Sequence, residues 1–215
     1  MSTAKDKVLD AALRLFAQGG YAGTTTSALA REAGIAEGTL FRHFRSKSEI
    51  LLLLLRKVKG ELIRSVEARL ELSMRKNGLE RVLAAVVEYY ALASSNMPEF
   101  NVIFRDVLAG NPQDDTAEAR EEVKDAYTYL AGRLEAAIQA GKKDGSVRRG
   151  VDALQTATLF LGTVVGMARA VHFGFVVPGT TSSEFFRDCC IRILAPSAEA
   201  APGGKPPILH ARRRS

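Results

Sequence analysis

The sequence predicts an all-α protein, with an N-terminal three-helix head of helix-turn-helix type, a larger helical body and about nine helices in total. Three observations lead there. Alanine, leucine and arginine are the commonest of the 215 residues, a composition that favours helix. Apolar residues recur at helical spacing along most of the chain. Proline is sparse before the C-terminal tail, and no dense Asn-Gly punctuation marks short strands. At 47% hydrophobic residues, the chain has enough apolar material for a real core.

The elements follow in order. Val8, Ala11, Ala12, Leu15 and Phe16 define an amphipathic helix over 5–18, stopped by Gly19-Gly20. The hydroxyl run from Thr24 to Ser27 suits an N-cap, and a short helix follows through Leu29, Ala30 and Ala33 to Gly34. A second short helix carries Leu40 and Phe44. Ser46 and Glu49 form a capping box for a long helix that takes Ile50, Leu51, Leu54, Val58, Leu62 and Val66 to about Ser73. Asn77-Gly78 ends it. Residues 79–94 form a buried helix, Pro98 opens another that reaches Leu108, and Gly110-Asn111-Pro112 is a loop. Residues 116–140 form a long helix with a charged face, and 141–150 reads as a polar, basic connection. The last two helices, 151–175 and 182–194, are separated by Pro178-Gly179. The Ala/Pro/Gly-rich residues 196–215 end in Arg212-Arg213-Arg214 and read as a disordered basic tail. The domain division expected is therefore 1–48, 49–195 and 196–215.

The net charge is +6, and it is uneven. Residues 1–60 hold ten Lys/Arg against five Asp/Glu, whereas the body to residue 194 is slightly acidic. A basic head on a near-neutral body fits a polyanionic partner for the head. No uninterrupted apolar stretch long enough to span a membrane and no signal-peptide pattern is seen, so no membrane partner is expected. The two cysteines, Cys189 and Cys190, are adjacent and ask for no oxidising compartment; a cytoplasmic protein is the simplest reading. His43, His172 and His210 lack metal-ligand spacing, and no phosphate loop or nucleophile elbow appears. No enzyme, metal site or cofactor is expected.

Two short helices joined by a tight turn must bury their facing sides against each other and against a third helix. Leu29, Ala33, Ile35, Leu40 and Phe44 are placed to do this, with Leu15 and Phe16 as the third wall. Gly34 stands where the turn needs a left-handed residue. The second short helix then offers Glu37, Gly38, Thr39, Phe41, Arg42 and His43 outward. A recognition helix uses such a face in the major groove. Thr39 suits a base edge or thymine methyl, and Arg42 a guanine or phosphate. Phe41 suits sugar or methyl groups, and His43 a phosphate. Thr25, Ser27 and Lys47 lie at helix starts, where phosphate oxygens are favoured.

From Gly20-Tyr21 through Thr24-Thr25 and the unbroken run Leu29 to Glu49, the chain resembles the DNA-binding domain of tetracycline-repressor-type (TetR family) regulators. The resemblance spans about Val8 to Leu52. Thr26, Ser27 and Phe41 depart from the family's usual apolar residue, longer polar residue and tyrosine. The resemblance implies a helical body that dimerises through its last two helices and holds a ligand pocket in its middle ones. Expected partners are thus a double-stranded DNA operator, a second copy of the chain and a small-molecule effector.

Within the body, Tyr89, Tyr90, Phe100, Phe104, Tyr127, Met167, His172 and Phe173 are candidates to line a pocket for an apolar or aromatic ligand. Leu154, Leu161, Val165, Phe186, Cys189 and Ile193 are candidates for the dimer interface. The function expected is a homodimeric repressor released from a palindromic operator by its ligand. The alternative is a helical small-molecule-binding or protein-interaction module without DNA binding.

Overall fold

The computed structural model describes residues 3–108, 115–176 and 182–196, with the side chains of residues 97, 100, 101, 104 and 105 left aside. The expected loop at Gly110, the Pro178-Gly179 break and the tail from 197 onward lie outside the described residues.

Among the described residues every regular element is helical. The order is α1 (Ala4–Gly19), α2 (Thr26–Ala33), α3 (Glu37–His43), α4 (Lys47–Leu72), α5 (Gly78–Ser95), α6 (Met97–Val102), a π-helical stretch Ile103–Leu108, α7 (Ala117–Asp144), α8 (Ala153–His172) and α9 (Ser183–Leu194).

Most starts are set by short polar side chains. Thr3 caps α1 and forms a reciprocal capping box with Asp6. Thr25, Ser46, Asn77, Asp152 and Ser182 each accept a backbone N–H at the start of their helix. The box expected at Ser46 is only half formed. Ser46 Oγ accepts from the Glu49 N–H at 3.1 Å, but the Glu49 carboxylate reaches past it to the Arg45 N–H at 2.6 Å.

The buried residues divide into two clusters. One gathers α1, α2 and α3 around Val8, Phe16, Leu29, Leu40 and Phe44, and takes in Ile50, Leu51, Leu54 and Leu55 from α4. The other packs α5 against α4, α7, α8 and α9 around Val82, Val86, Tyr89, Leu134, Ile138 and Leu161. Helix α4 belongs to both, because Val66 and Leu70 lie in the second. At about 1.5 Å rise per residue, it is a rigid rod of roughly 39 Å shared by head and body. The five-leucine run falls where this rod is covered on several sides, with Leu51, Leu52, Leu54 and Leu55 all buried.

Three expectations change. The helix expected from Pro98 to Leu108 divides into α6 and the π-helical stretch. Hydrogen bonds running i to i+5 place residues five apart on a similar face. Val102 and Val107 accordingly both enter the head's cluster, fully buried. The connection expected over 141–150 is helical as far as Asp144, where Gly145 turns left-handed with φ 82°. The helix continues because Gly141 is buried against the start of α5. Finally, α8 holds an 18-residue window of mean hydropathy 1.3 and is long and apolar enough to cross a membrane by length and composition, although it has no uninterrupted apolar run of that length. Here Ala157, Phe160, Leu161, Val164 and Ala168 bury one of its faces in the body.

A fork between Glu67 and Arg133 ties α4 to α7 with N···O distances of 2.6 and 2.9 Å, and the Tyr129 hydroxyl donates to the same carboxylate at 2.9 Å. The hydrogen-bonded Arg133 guanidinium holds Glu67 below the usual carboxylate range. A depressed folded-state pKa contributes stability above the unfolded value, and the contribution is lost as pH falls through the folded one. Both side chains are partly solvated, so Glu67→Gln should cost only about 1 kcal/mol at neutral pH. Urea denaturation of both proteins across pH should show that gap closing below about pH 4.

Candidate nucleic-acid interface and effector cavity

Helices α2 and α3 meet through a turn whose geometry follows from Gly34. Its φ of 67° and ψ of 36° are left-handed, and its N–H returns to the Ala30 and Arg31 carbonyls. The next N–H, of Ile35, also returns to Ala30 O. This closes α2 and swings the chain into α3. Leu40 and Phe44 are buried beneath, so the other side of α3 must face out. Gly38 and Arg42 are exposed, Thr39 and His43 half-buried. Phe41 is 50% exposed, a large apolar ring held at the surface beside an arginine. A Cβ on Gly38 would meet nothing within 4 Å in the free protein, so any close approach there is to a partner.

The residues expected at phosphates behave differently from one another. Thr25 is exposed; its Oγ accepts from the Ala28 N–H at 3.1 Å, which leaves its hydroxyl proton for an outside acceptor. The Ser27 hydroxyl is already engaged within the head. It donates to Glu37 Oε2 at 2.8 Å, while Thr26 donates to Oε1 at 2.7 Å. The expected phosphate donor is therefore a clamp between α2 and α3, and Glu37 serves that clamp before it serves a base. The two hydroxyls, Thr26 first, hold the Glu37 carboxyl below its usual range. At Thr26, where the resemblance implied an apolar residue, the contact is polar.

Lys47 is also drawn inward. Its Nζ donates to Tyr21 O at 2.8 Å and Thr24 O at 3.0 Å, and lies 4.3 Å from the centre of the Tyr21 ring. Two of its three protons are thus spent on the loop that sets up Thr25, and the expected phosphate ligand is in the first place an internal strut. The Tyr21 hydroxyl donates in turn to Asp115, just before α7, at 2.6 Å. This bond joins the head to the body across a long stretch of chain, and nothing in the sequence signalled it.

The body holds an apolar cavity of about 400 Å³. Helix α4 lines it with Leu55, Val58 and Leu62, and α8 with Leu161 and Val165. Of the expected aromatic residues, Tyr89 and Tyr127 line it. Burial pushes the hydroxyl pKa of both upward, so both remain neutral donors. Tyr90 instead faces α9, its ring 4.5 Å from that of Phe186. Met167 is outside the lining, and His172 and Phe173 lie exposed at the end of α8, ring against ring. The reason is helical phase. One position along α5 turns a ring by about 100°, from the cavity to the opposite neighbour. The side chains of Phe100 and Phe104 lie outside the described residues. Lys59, Glu122 and Arg169 also line the cavity, none of them expected there.

The residues expected at a dimer interface divide in the same way. Leu161, Val165 and Phe186 are buried within the chain, so they pack its own core. Leu154 is 53% exposed, and Cys189 and Ile193 are partly so. Leu159 and Phe185, not singled out beforehand, stand out at 55% and 46%. Cys190 is buried, which pushes its thiol up to about 12 and leaves it inert.

The family described as "Bacterial regulatory proteins, tetR family" matches residues 8–54, the segment that contains the helix-turn-helix. The chain is 22% identical over 158 residues to the fatty acid metabolism regulator protein of Bacillus subtilis (strain 168), covering 74% of this chain and 78% of that protein. Its fold is similar to the crystal structure of the regulator FadR from Bacillus subtilis in complex with stearoyl-CoA, with TM-score 0.69, 19% identity and coverage of 87% and 95% of the two chains. It is also similar to a transcriptional regulator from Saccharomonospora viridis in complex with choline, with TM-score 0.73, 25% identity and coverage of 91% and 100%.

Proposed function

The chain belongs to the tetR family of bacterial regulatory proteins and is a DNA-binding transcriptional regulator, and we propose that it is a homodimeric repressor released from a palindromic operator by a small, largely apolar ligand. Thr39, Phe41 and Arg42 read the major groove, Gly38 admits close approach, and Thr25 and His43 hold the backbone. Two half-sites need two heads. The exposed Leu154, Leu159 and Phe185, with Cys189 and Ile193, support pairing through the outer faces of α8 and α9. A repressor that works on the chromosome is cytoplasmic.

One observation carries the switch. Helix α4 is both a wall of the cavity, through Leu55, Val58 and Leu62, and a part of the head's core, through Ile50, Leu51 and Leu54. A ligand that repacks the cavity must shift α4 or be resisted by it, and α4 cannot shift without carrying the head. At a volume near the lower end of ordinary ligand pockets, the cavity suits a small molecule. The relatives bind stearoyl-CoA in one case and choline in another, so ligand identity does not transfer by likeness.

The test is fluorescence anisotropy on DNA flanking the chain's own gene. The logarithm of affinity should fall linearly with the logarithm of salt. A ligand that stabilises the protein in a thermal-shift screen should weaken binding by roughly five- to 150-fold. Flat salt dependence would favour the protein-interaction alternative. A ligand that binds the cavity and leaves operator affinity unchanged would end the repressor-release reading.

A further inference from the structure

The charged groups on the cavity wall say more about the ligand than its apolar lining does. Lys59 on α4, Glu122 on α7 and Arg169 on α8 all contribute to the wall. Glu122 is gripped from two sides. Lys59 Nζ donates to one of its oxygens at 2.7 Å, and Arg56 Nε to the other at 2.6 Å. Those two cations are three residues apart, on one face of α4. A single carboxylate of α7 therefore pins a full turn of the rod that carries the head. The pins face different spaces. Lys59 lines the apolar cavity, whereas Arg56 lines a separate, polar cleft between the head and the start of α7, shared with Arg45, Ser46 and Asp115.

We propose that the cavity takes a single-headed amphiphile with an anionic head, and that this head competes with Glu122 for Lys59 and so unpins α4 from α7. The proposal rests on reading the cavity as the effector site. The choice of charge follows from the wall. An anion meets Lys59, and Arg169 adds positive charge to the same wall. A cation must approach those two, and Glu122, the one acid among the described residues of the wall, already has both oxygens engaged by cations. A neutral head gains no charge-assisted bond. The exchange is also feasible in detail. Lys59 trades one carboxylate-like partner for another, and it keeps Asp125 nearby at 3.6 Å. Glu122 is not left as an unpaired buried charge, because Arg56 stays with it. That remaining pair is weak, since Arg56 is 53% exposed at its side chain. The grip on α4 thus falls from two contacts, one of them sheltered, to a single solvated one.

Three probes built on a twelve-carbon chain separate the outcomes: dodecanoate, 1-dodecanol and dodecyltrimethylammonium, each below its micelle concentration or solubility limit. Binding to the full chain is read by displacement of an environment-sensitive dye, and operator affinity separately by anisotropy. Dodecanoate should bind about tenfold more tightly than either other probe, as a charge-assisted hydrogen bond requires. Lys59→Met should abolish that preference while retaining the alcohol. Glu122→Gln should tighten dodecanoate several-fold and weaken the operator without any ligand. Lys124→Met, which removes an exposed lysine paired with Glu121 of the same helix, should change neither. Equal binding of acid and alcohol, tighter binding of the quaternary amine, failure of all three probes, or a preference that survives Lys59→Met would each overturn the proposal. If 1-dodecanol releases the operator as well as dodecanoate does, the effector reading stands and this one falls. If dodecanoate binds with the expected preference but the operator is not released, the head-group assignment stands, and both the unpinning and the repressor-release reading fail.

Discussion

Gly78→Ala should destabilise the protein by about 3 kcal/mol, the upper range for forcing an atom into a packed interior. Gly78 opens α5 against the end of α7. A Cβ added there would fall inside the backbone of Gly141 and Ala140, and backbone has no rotamer to yield. The contact is also held by hydrogen bonds that a shift would break. The Gly78 N–H donates to Asp144 at 2.7 Å and the Leu79 N–H to Ser146 at 3.0 Å. For a chain of this size the loss corresponds to a fall in Tm of roughly 6–12 °C. Gly132 is the internal control. It lies on the exposed side of α7 with nothing within 4 Å of an added Cβ. Gly132→Ala should therefore raise stability by about 0.5–1 kcal/mol, through helix propensity alone. Thermal denaturation followed by circular dichroism measures both. A mild effect at Gly78, similar to that at Gly132, would show that α5 and α7 are less closely joined than described.

Lys47→Ala should weaken operator binding at least tenfold on any DNA sequence, and the salt dependence should say why. As a strut, Lys47 satisfies the Tyr21 and Thr24 carbonyls and stacks on the Tyr21 ring. Its loss leaves the part-buried Thr24 carbonyl without that donor, worth about 1–3 kcal/mol if water does not replace it, whereas the Tyr21 carbonyl keeps the Thr24 N–H at 3.2 Å. The loop that presents Thr25 then loosens. A strut affects the fit of the head without removing a phosphate contact, so the slope of log affinity against log salt should stay the same. A phosphate ligand would instead lower that slope by about one. Tyr21→Phe supplies the comparison, because it removes the hydroxyl bond to Asp115 and keeps the ring under Lys47. It should leave the free head stable and change how strongly the body influences it.

The helix-turn-helix was legible because its constraints are local. Apolar spacing places Leu29, Ala33, Leu40 and Phe44 inward, and only glycine takes the φ of 67° at position 34 without strain. What the sequence did not show at this site depends on the angle between two helices. Ser27 and Lys47 carry suitable chemistry for phosphate. Only the folded head shows that Glu37 stands within reach of Thr26 and Ser27, and that the Tyr21 and Thr24 carbonyls stand within reach of Lys47. The cavity was harder still. An aromatic side chain in a helix is apolar on any face, so Tyr89 and Tyr90 looked equivalent in sequence and point to different neighbours. The exposed side of α8 and α9 was hidden for the same reason, since Leu154 and Leu161 differ only in what packs on them.

The amino-acid sequence by itself determined most of the helices, the turn and the outward set on α3, because these rest on interactions within a few residues. It also determined that the head is basic and resembles a known DNA-binding domain. The tertiary structure alone decided that α4 serves two cores, that Gly78 and Gly141 touch, that Tyr21 meets Asp115, and that Glu122 grips both Arg56 and Lys59. Those contacts join residues tens of positions apart. Their partners are chosen by how whole helices cross, and no local pattern encodes a crossing.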